Sequence, residues 1–250
     1  MDLANRTAIV TGAGSGIGRA VCLAYAREGA RLVVSDIAEK GATESIDLVR
    51  KAHPKAEAIF VRADSSKYED NEALVAAAIE KFGALHIACN NAGIGGEIKP
   101  VGEMSVDGWR KVIEINLSGV FYAMRAQIPR MLEAGGGSLV NMASILGAVG
   151  TPGSSGYVAA KHGVIGLTQA AALEYAQEGI RVNAVGPGYI DTPLLQGLDD
   201  ATRKGLIDLH PIGRLGRAEE VAEMVLWLST GRSSFVTGAY YPVDGGYLAR

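Results

Sequence analysis

The sequence predicts a doubly wound α/β fold, a single domain built on a seven-stranded parallel sheet with helices on both faces. Three observations predict it. Short β-branched runs alternate with segments of helical period along the whole chain, the pattern of strands joined by crossover helices. A cluster of glycines sits at the first strand-to-helix junction. The chain of 250 residues shows no linker, repeat or low-complexity tract, and a chain of that length can bury a sizeable core.

Residues 7–11 read as the first strand. They run into Gly12, Gly14, Gly16 and Gly18, after which Ile17, Ala20, Val21 and Ala24 mark one helix face. Gly29 ends that helix, residues 31–35 are the second strand, and Asp36 closes it. A helix through 46–51 stops before Pro54, and 58–61 is a third strand leading to Asp64. Leu74, Val75, Ala78, Ile79 and Phe82 form the next apolar stripe, with Gly83 as its stop. Residues 86–89 are a fourth strand, followed at once by Asn90-Asn91-Ala92-Gly93. Ser105 is placed to N-cap a long helix whose body runs from Trp109 to about Met131. Glycines 135–137 break it, 138–142 is the fifth strand, and a helix carrying Tyr157 ends near Gly179. Residues 181–185 are the sixth strand. The stretch 186–215, with its Leu, Gly and Pro, reads as an irregular insertion and as the candidate for a mobile flap, because long irregular segments in compact domains are usually functional. Val221, Met224, Val225 and Leu228 define the last helix, and 239–243 the closing strand. Val164, Leu167, Ala171, Ala172 and Tyr175 give the Tyr157 helix more apolar surface than one sheet face needs, which points to self-association.

Composition excludes several classes. Hydrophobic content of 48%, charged content of 20% and a net charge of −3 describe an ordinary soluble protein, with no basic run for nucleic acid. No charged and then apolar N-terminal stretch marks a secretory signal, and no apolar run reaches the roughly 18 residues of a membrane span. Cys22 and Cys89 sit among apolar residues and read as core fillers, so the expected compartment is the cytoplasm. His53, His86, His162 and His210 lack metal-ligand spacing, and His210 is expected to face solvent.

The chemistry concentrates between Ser144 and Lys161. Tyr157 and Lys161 are four residues apart, so on a helix they share a face. An ammonium beside a phenol favours the phenolate and lowers a pKa otherwise about 10, and Ser144 upstream can orient a reacting oxygen. The same pair also fits a solvated helix face. What weighs against that is the glycine turn at Gly12, Ser15, Gly16, Ile17 and Gly18, where backbone N–H groups can meet a pyrophosphate. The strict Gly-x-Gly-x-x-Gly fingerprint is not met, since Ile17 stands where the third glycine belongs, and no Gly-Lys-Ser/Thr supports a P-loop. Asp36 ends the second strand, where a carboxylate accepts the ribose hydroxyls of an adenosine and repels a 2′-phosphate. Ser15 and Ile37 nearby carry no charge, which favours NAD over NADP. The Gly loop, Asp36, Asp64, Asn90, Ser144 and the Gly186 loop all follow strands, so all fall on the sheet edge where such folds bind ligands.

Taken together, Thr11-Gly12-x-x-x-Gly16-x-Gly18, Asn90-Asn91-Ala92-Gly93, Asn116, Ser144, Tyr157-x-x-x-Lys161, Pro187-Gly188 and Asp244-Gly245-Gly246 resemble the short-chain dehydrogenase/reductase family in its single-domain, Rossmann-like form, over essentially the whole chain. The resemblance implies Tyr157 as general acid/base, Lys161 lowering its pKa and bonding the nicotinamide ribose, Ser144 holding the substrate oxygen, and Asn116 anchoring a proton relay. It also implies Asp64 near the adenine, Asn90 near the adenosine ribose, Pro187 and Gly188 on the nicotinamide side, and Ile190 and Thr192 holding the carboxamide. A homotetramer is implied, with the Asn116 and Tyr157 helices and the segment from Phe235 at its interfaces.

The expected reaction is NAD-dependent, reversible oxidation of a secondary alcohol to a ketone. Tyr189, Leu194 and Leu195 in the flap, with Leu146 after Ser144, suit an apolar or cyclic substrate, and no Arg or Lys lies in 186–202 to clamp an anion. A 3-oxoacyl thioester reductase is the nearest alternative, disfavoured by Asp36, and a sugar dehydrogenase the next, disfavoured by the Leu-rich flap. A non-catalytic dinucleotide sensor predicts loss of Ser144, Tyr157, Lys161 or Asn116, all of which are present.

Overall fold

Seven strands form one parallel sheet in the computed structural model, which describes residues 1–249 and leaves Arg250 outside. They are β1 (Thr7–Thr11), β2 (Arg31–Asp36), β3 (Ala58–Arg62), β4 (Ile87–Asn90), β5 (Gly137–Met142), β6 (Ile180–Pro187) and β7 (Tyr240–Val243). Their order is β3-β2-β1-β4-β5-β6-β7, with Thr7 opposite Arg31 on one side of β1 and Ala8 opposite Ile87 on the other. The connections are α1 (Gly16–Arg27), α2 (Glu39–Ala52), α3 (Tyr68–Phe82), α4 (Val106–Ile113), α5 (Gly119–Glu133), α6 (Ser155–Tyr175), α7 (Asp200–Asp208) and α8 (Ala218–Ser229).

Alternate strand residues point to opposite faces. Val10 and Val34 pack with α1, α2 and α8, whereas Ile9 and Val33 pack with α3, α5 and α6. Covering both faces explains why the strands read as continuous apolar runs: every residue of β1 is buried. The chain order reverses beside β1, so the carboxyl ends of β1 and β4 border the crevice where this architecture binds ligands.

Several expectations need correction. The helix expected at 46–51 begins at Glu39, because its first turns bury only Ala42 and Ser45 and leave little apolar signal. The long helix capped by Ser105 has the cap, with Ser105 Oγ accepting the Gly108 N–H at 2.9 Å, but it is interrupted by a π-helical turn, Glu114–Ser118. The flap is not wholly irregular. It contains α7, whose Asp199 N-cap accepts the Thr202 N–H at 2.8 Å and which has no buried residue to give it a helical apolar period. The apolar residues of α6 are not surplus: Val164, Ala171 and Ala172 are core, and Leu167 and Tyr175 pack against it. Among the described residues no helix is long and apolar enough to cross a membrane.

Candidate active site

Ser144 sits at the exit of β5 and caps a short 3₁₀ turn, Ile145–Gly147, its Oγ accepting the Leu146 N–H at 3.2 Å. The turn folds the chain back so that the Ser144 hydroxyl comes beside that of Tyr157, close enough to favour its phenolate. Tyr157 lies in the first turn of α6, and Lys161, one turn on, is buried with its Nζ 5.6 Å from the Tyr157 ring centroid. That Nζ donates to the Met142 carbonyl at 2.6 Å.

Burial disfavours both charged forms. It pushes the Lys161 ammonium down to about 8. It also raises the Tyr157 hydroxyl above its ordinary value, while the neighbouring Ser144 hydroxyl acts in the lowering direction. The lowering expected from Lys161 is therefore not the leading influence on Tyr157 in the protein alone. The ammonium lies over the ring and is bonded to a backbone carbonyl rather than to the phenolic oxygen.

Asn116 occupies the π turn, fully buried. Its Nδ2 donates to the Ile94 carbonyl and its Oδ1 accepts the Ile94 N–H, both at 2.8 Å. One extra residue in a helical turn re-aims its side chains, and such turns concentrate at functional sites. Here it turns Asn116 towards Gly93, where a Cβ would stand 2.9 Å from Asn116 Oδ1 and 3.8 Å from Lys161 Nζ. Asn116 and Lys161 are thus neighbours across Gly93.

The glycine turn is built for close approach. Gly12 and Gly16 adopt φ of +61° and +51°, and Ser15 stands exposed at the start of α1, with Ile17 half-buried behind it. A Cβ on Gly18 would lie 2.3 Å from the Gly12 carbonyl oxygen, so α1 can start against the turn only with glycine there. We expect Gly18→Ala to push helix and turn apart at a cost of about 1–3 kcal/mol, and to weaken dinucleotide binding more than stability. Thermal unfolding alongside NADH fluorescence titration checks this, and unaltered NADH affinity would contradict it.

Asp36 ends β2 beside the turn, its Oδ2 accepting the Gly14 N–H and its Oδ1 the Ala38 N–H, each at 2.9 Å. Asp64 accepts both the N–H and the hydroxyl of Ser66, which holds its carboxyl below the usual range. The Asn90 carboxamide turns inward to Gln127 and Asn141, while the residue lines a small cavity with Thr11 and Ala92 at the foot of the crevice. Two supports become visible only in three dimensions. Thr11 Oγ1 accepts the N–H groups of Asn91 and Ala92, and the Asn91 amide donates to the Thr11 and Gly12 carbonyls. The Arg19 guanidinium braces the turn from α1, donating to the Gly14 carbonyl and to Ser45 Oγ, whose hydroxyl in turn donates to the Ala13 carbonyl. Only the three-dimensional approach of α2 to the turn reveals Arg19 and Ser45.

Past Pro187, at the end of β6, the Gly188 N–H donates to the Val243 carbonyl at 3.0 Å. Ile190 is buried and bridged to Gly216, and Thr192 lies over the glycine turn, its methyl 3.2 Å from where a Gly16 Cβ would stand. Leu146 is buried, Tyr189 and Leu195 are half-buried, and Leu194 is exposed. His210, expected to face solvent, is buried instead. Its Nδ1 donates to the Leu206 carbonyl at 2.8 Å and its Nε2 accepts the Tyr189 N–H at 3.2 Å, while its ring packs on those of Tyr189 and Tyr247. Among the described residues no group of three or more His, Cys, Asp or Glu is placed to hold a metal ion.

Comparison with known proteins agrees with this geometry. A family model described as enoyl-(acyl carrier protein) reductase matches residues 12–248. Cyclohexanol dehydrogenase of Acinetobacter sp. (strain SE19) is 51% identical over 98% of this chain and 96% of its own. Cis-4-hydroxycyclohexanecarboxylate dehydrogenase of Sinomonas cyclohexanicum is 47% identical over 98% of each chain. The crystal structure of levodione reductase superposes with a TM-score of 0.97 at 39% identity, covering 99% of both chains. Similarity of this degree along almost the full length of each protein establishes common descent, and the chain belongs to the short-chain dehydrogenase/reductase family, as an oxidoreductase acting on CH–OH groups with a nicotinamide dinucleotide.

Proposed function

We propose that the protein oxidises a cyclic secondary alcohol to its ketone, reversibly, with NAD. The observation that carries this reading is the pairing of the Ser144 and Tyr157 hydroxyls at the crevice mouth, with Lys161 beneath. Two hydroxyls converging on one point suit a substrate oxygen that changes between alcohol and carbonyl. The dinucleotide would lie along Gly12, Ser15, Gly16, Ile17 and Gly18, with Asp36 at its adenosine ribose, Asp64 and Asn90 near the adenine end, and Pro187, Gly188, Ile190 and Thr192 at the nicotinamide. The glycine cradle fits such a group, since side chains at Gly12 and Gly18 would collide with backbone. Once bound, it supplies the hydride acceptor.

The chain's own groups handle the proton. In oxidation Tyr157 takes it from the alcohol while Ser144 holds the oxygen in place; in reduction Tyr157 returns it. Lys161 and Asn116, adjacent across Gly93, are placed to pass it onwards.

The substrate class follows from what lines the flap. Leu146, Tyr189, Leu194 and Leu195 present apolar surface, and the nearby cations are already engaged. Arg203 pairs with Asp191, Lys204 with Asp208, and Arg214 with Glu220. Each of the three already faces a carboxylate partner, which favours an uncharged ring. Relatives named for cyclohexanol and levodione support the same class. NADH absorbance with cyclohexanol, an acyclic secondary alcohol and a sugar alcohol tests it. We expect kcat/KM for the ring to exceed that for the polyol by about 10–200-fold, the range a hydrophobic pocket can discriminate. Preference for the polyol would overturn the substrate reading.

A homotetramer is part of the proposal. Phe121, Leu173 and Phe235 are exposed on α5, on α6 and before β7, where the family resemblance implies interfaces. Cys22 and Cys89 are buried and unpaired, in keeping with a reducing cytoplasmic setting.

A further inference from the structure

Tyr240, in the edge strand β7, sends its side chain across β6 to the site. It passes over Gly186, where a Cβ would stand 2.2 Å from Tyr240 Oη and 2.4 Å from the ring, so only glycine leaves the phenol its path. Beyond Gly186 the Tyr240 hydroxyl donates to the Ser144 carbonyl at 2.9 Å. The same carbonyl accepts the Gly147 N–H at 2.9 Å, which fills both of its lone pairs. The Ser144 peptide is therefore held twice, by its own turn and by the far edge of the sheet. A backbone displacement that carries Ser144 away from Tyr157 strains the bond to Tyr240, while the Leu146 N–H holds the Oγ rotamer. Burial pushes the Tyr240 hydroxyl up to about 12, so it remains a donor across the working range.

We propose that Tyr240 is a positioning residue for the oxidation: by passing over Gly186 and clamping the Ser144 carbonyl, it keeps the Ser144 hydroxyl aligned with that of Tyr157. The proposal rests on the reading of Ser144 as the group that holds the substrate oxygen.

Tyr240→Phe keeps the ring and removes only the donor. With the best alcohol of the panel and NAD, we expect kcat to fall about 10-fold with KM within about twofold, because small misplacements at a reacting centre act on the chemical step. NADH affinity and melting temperature should stay near those of the parent protein. The nearby Ser144 hydroxyl favours the Tyr157 phenolate, so letting it drift away should also move the half-maximal pH of oxidation upwards. A merely structural role for Tyr240 leaves that midpoint in place.

A double-mutant cycle separates the two readings. Ser144→Ala keeps the backbone carbonyl, and so the bond to Tyr240, but removes the hydroxyl the clamp serves. Adding Tyr240→Phe to Ser144→Ala should then cost little more. An equal loss in both backgrounds, or an unmoved pH midpoint in Tyr240→Phe, overturns the proposal while leaving the role of Ser144 intact. Full activity in Ser144→Ala overturns the role of Ser144 itself. Where Ser144→Ala turns over too slowly to measure, the midpoint decides alone. Gly186→Ala, which displaces the same ring, should reproduce the midpoint shift and stands in if the Phe variant fails to fold.

Discussion

Replacing Tyr157 with Phe will nearly stop alcohol oxidation, lowering kcat by about 100-fold or more, the scale set by a positioned acid/base group. Only the hydroxyl is lost, so the ring still packs at the start of α6 and Lys161 keeps its bond to Met142. NADH affinity, measured by fluorescence, should therefore be close to that of the parent protein. A variant that retains more than a few per cent of activity would remove Tyr157 from the mechanism. The same group should set the pH response. In the proposed mechanism oxidation needs the phenolate and reduction the phenol, and burial raises the Tyr157 hydroxyl above its ordinary value. Oxidation should therefore climb as pH rises from neutral to alkaline, with the reduction optimum on the acid side of it. A flat oxidation profile with chemistry rate-limiting would contradict the assignment.

Asp36 should make NADH bind about 100-fold more tightly than NADPH, because a 2′-phosphate beside a carboxylate meets like charge worth several kcal/mol. Asp36→Ala should narrow the gap mainly by improving NADPH. It will also cost some NADH affinity, since the Gly14 and Ala38 N–H groups lose their acceptor and the turn loosens. Paired titrations of both cofactors on both proteins measure this. Equal affinities in the unmutated protein would sink the argument from Asp36.

Much of this site was legible because its geometry is local. Tyr157 and Lys161 share a helix face by spacing alone, and Gly12 to Gly18 and Asp36 fall at strand ends that the β-branched runs mark out. Ser105 as a cap and Gly83 as a stop are likewise single-position chemistry; Gly83 does adopt the left-handed conformation, with φ +82°. What stayed hidden depends on contacts between segments distant in sequence. The π turn around Asn116 differs from an α-helix by one residue and leaves no pattern in the apolar period. His210 looked like a loop residue, because its burial depends on Tyr189 and Tyr247 closing over it. Arg19 and Tyr240 act across α2 and β6, and nothing within several residues of either announces the partner. The helix α7 was missed because periodicity detects a helix through its buried face, and this one has none.

The clasp at His210 has a mechanical consequence. It ties the segment after α7 to the Tyr189 backbone at the exit of β6 with a buried imidazole bonded on both nitrogens. At the opposite end, no residue of 193–199 is buried and only Leu195 is half-buried, and the ion pair that joins that end to α7, Asp191 with Arg203, is exposed and worth about 0–1 kcal/mol. The free energy of local opening must therefore grow from Leu194 towards His210. We expect this segment to open first around Leu194, over the glycine turn, while the His210 clasp holds Tyr189; faster amide exchange at 193–199 than at 206–210 would show it.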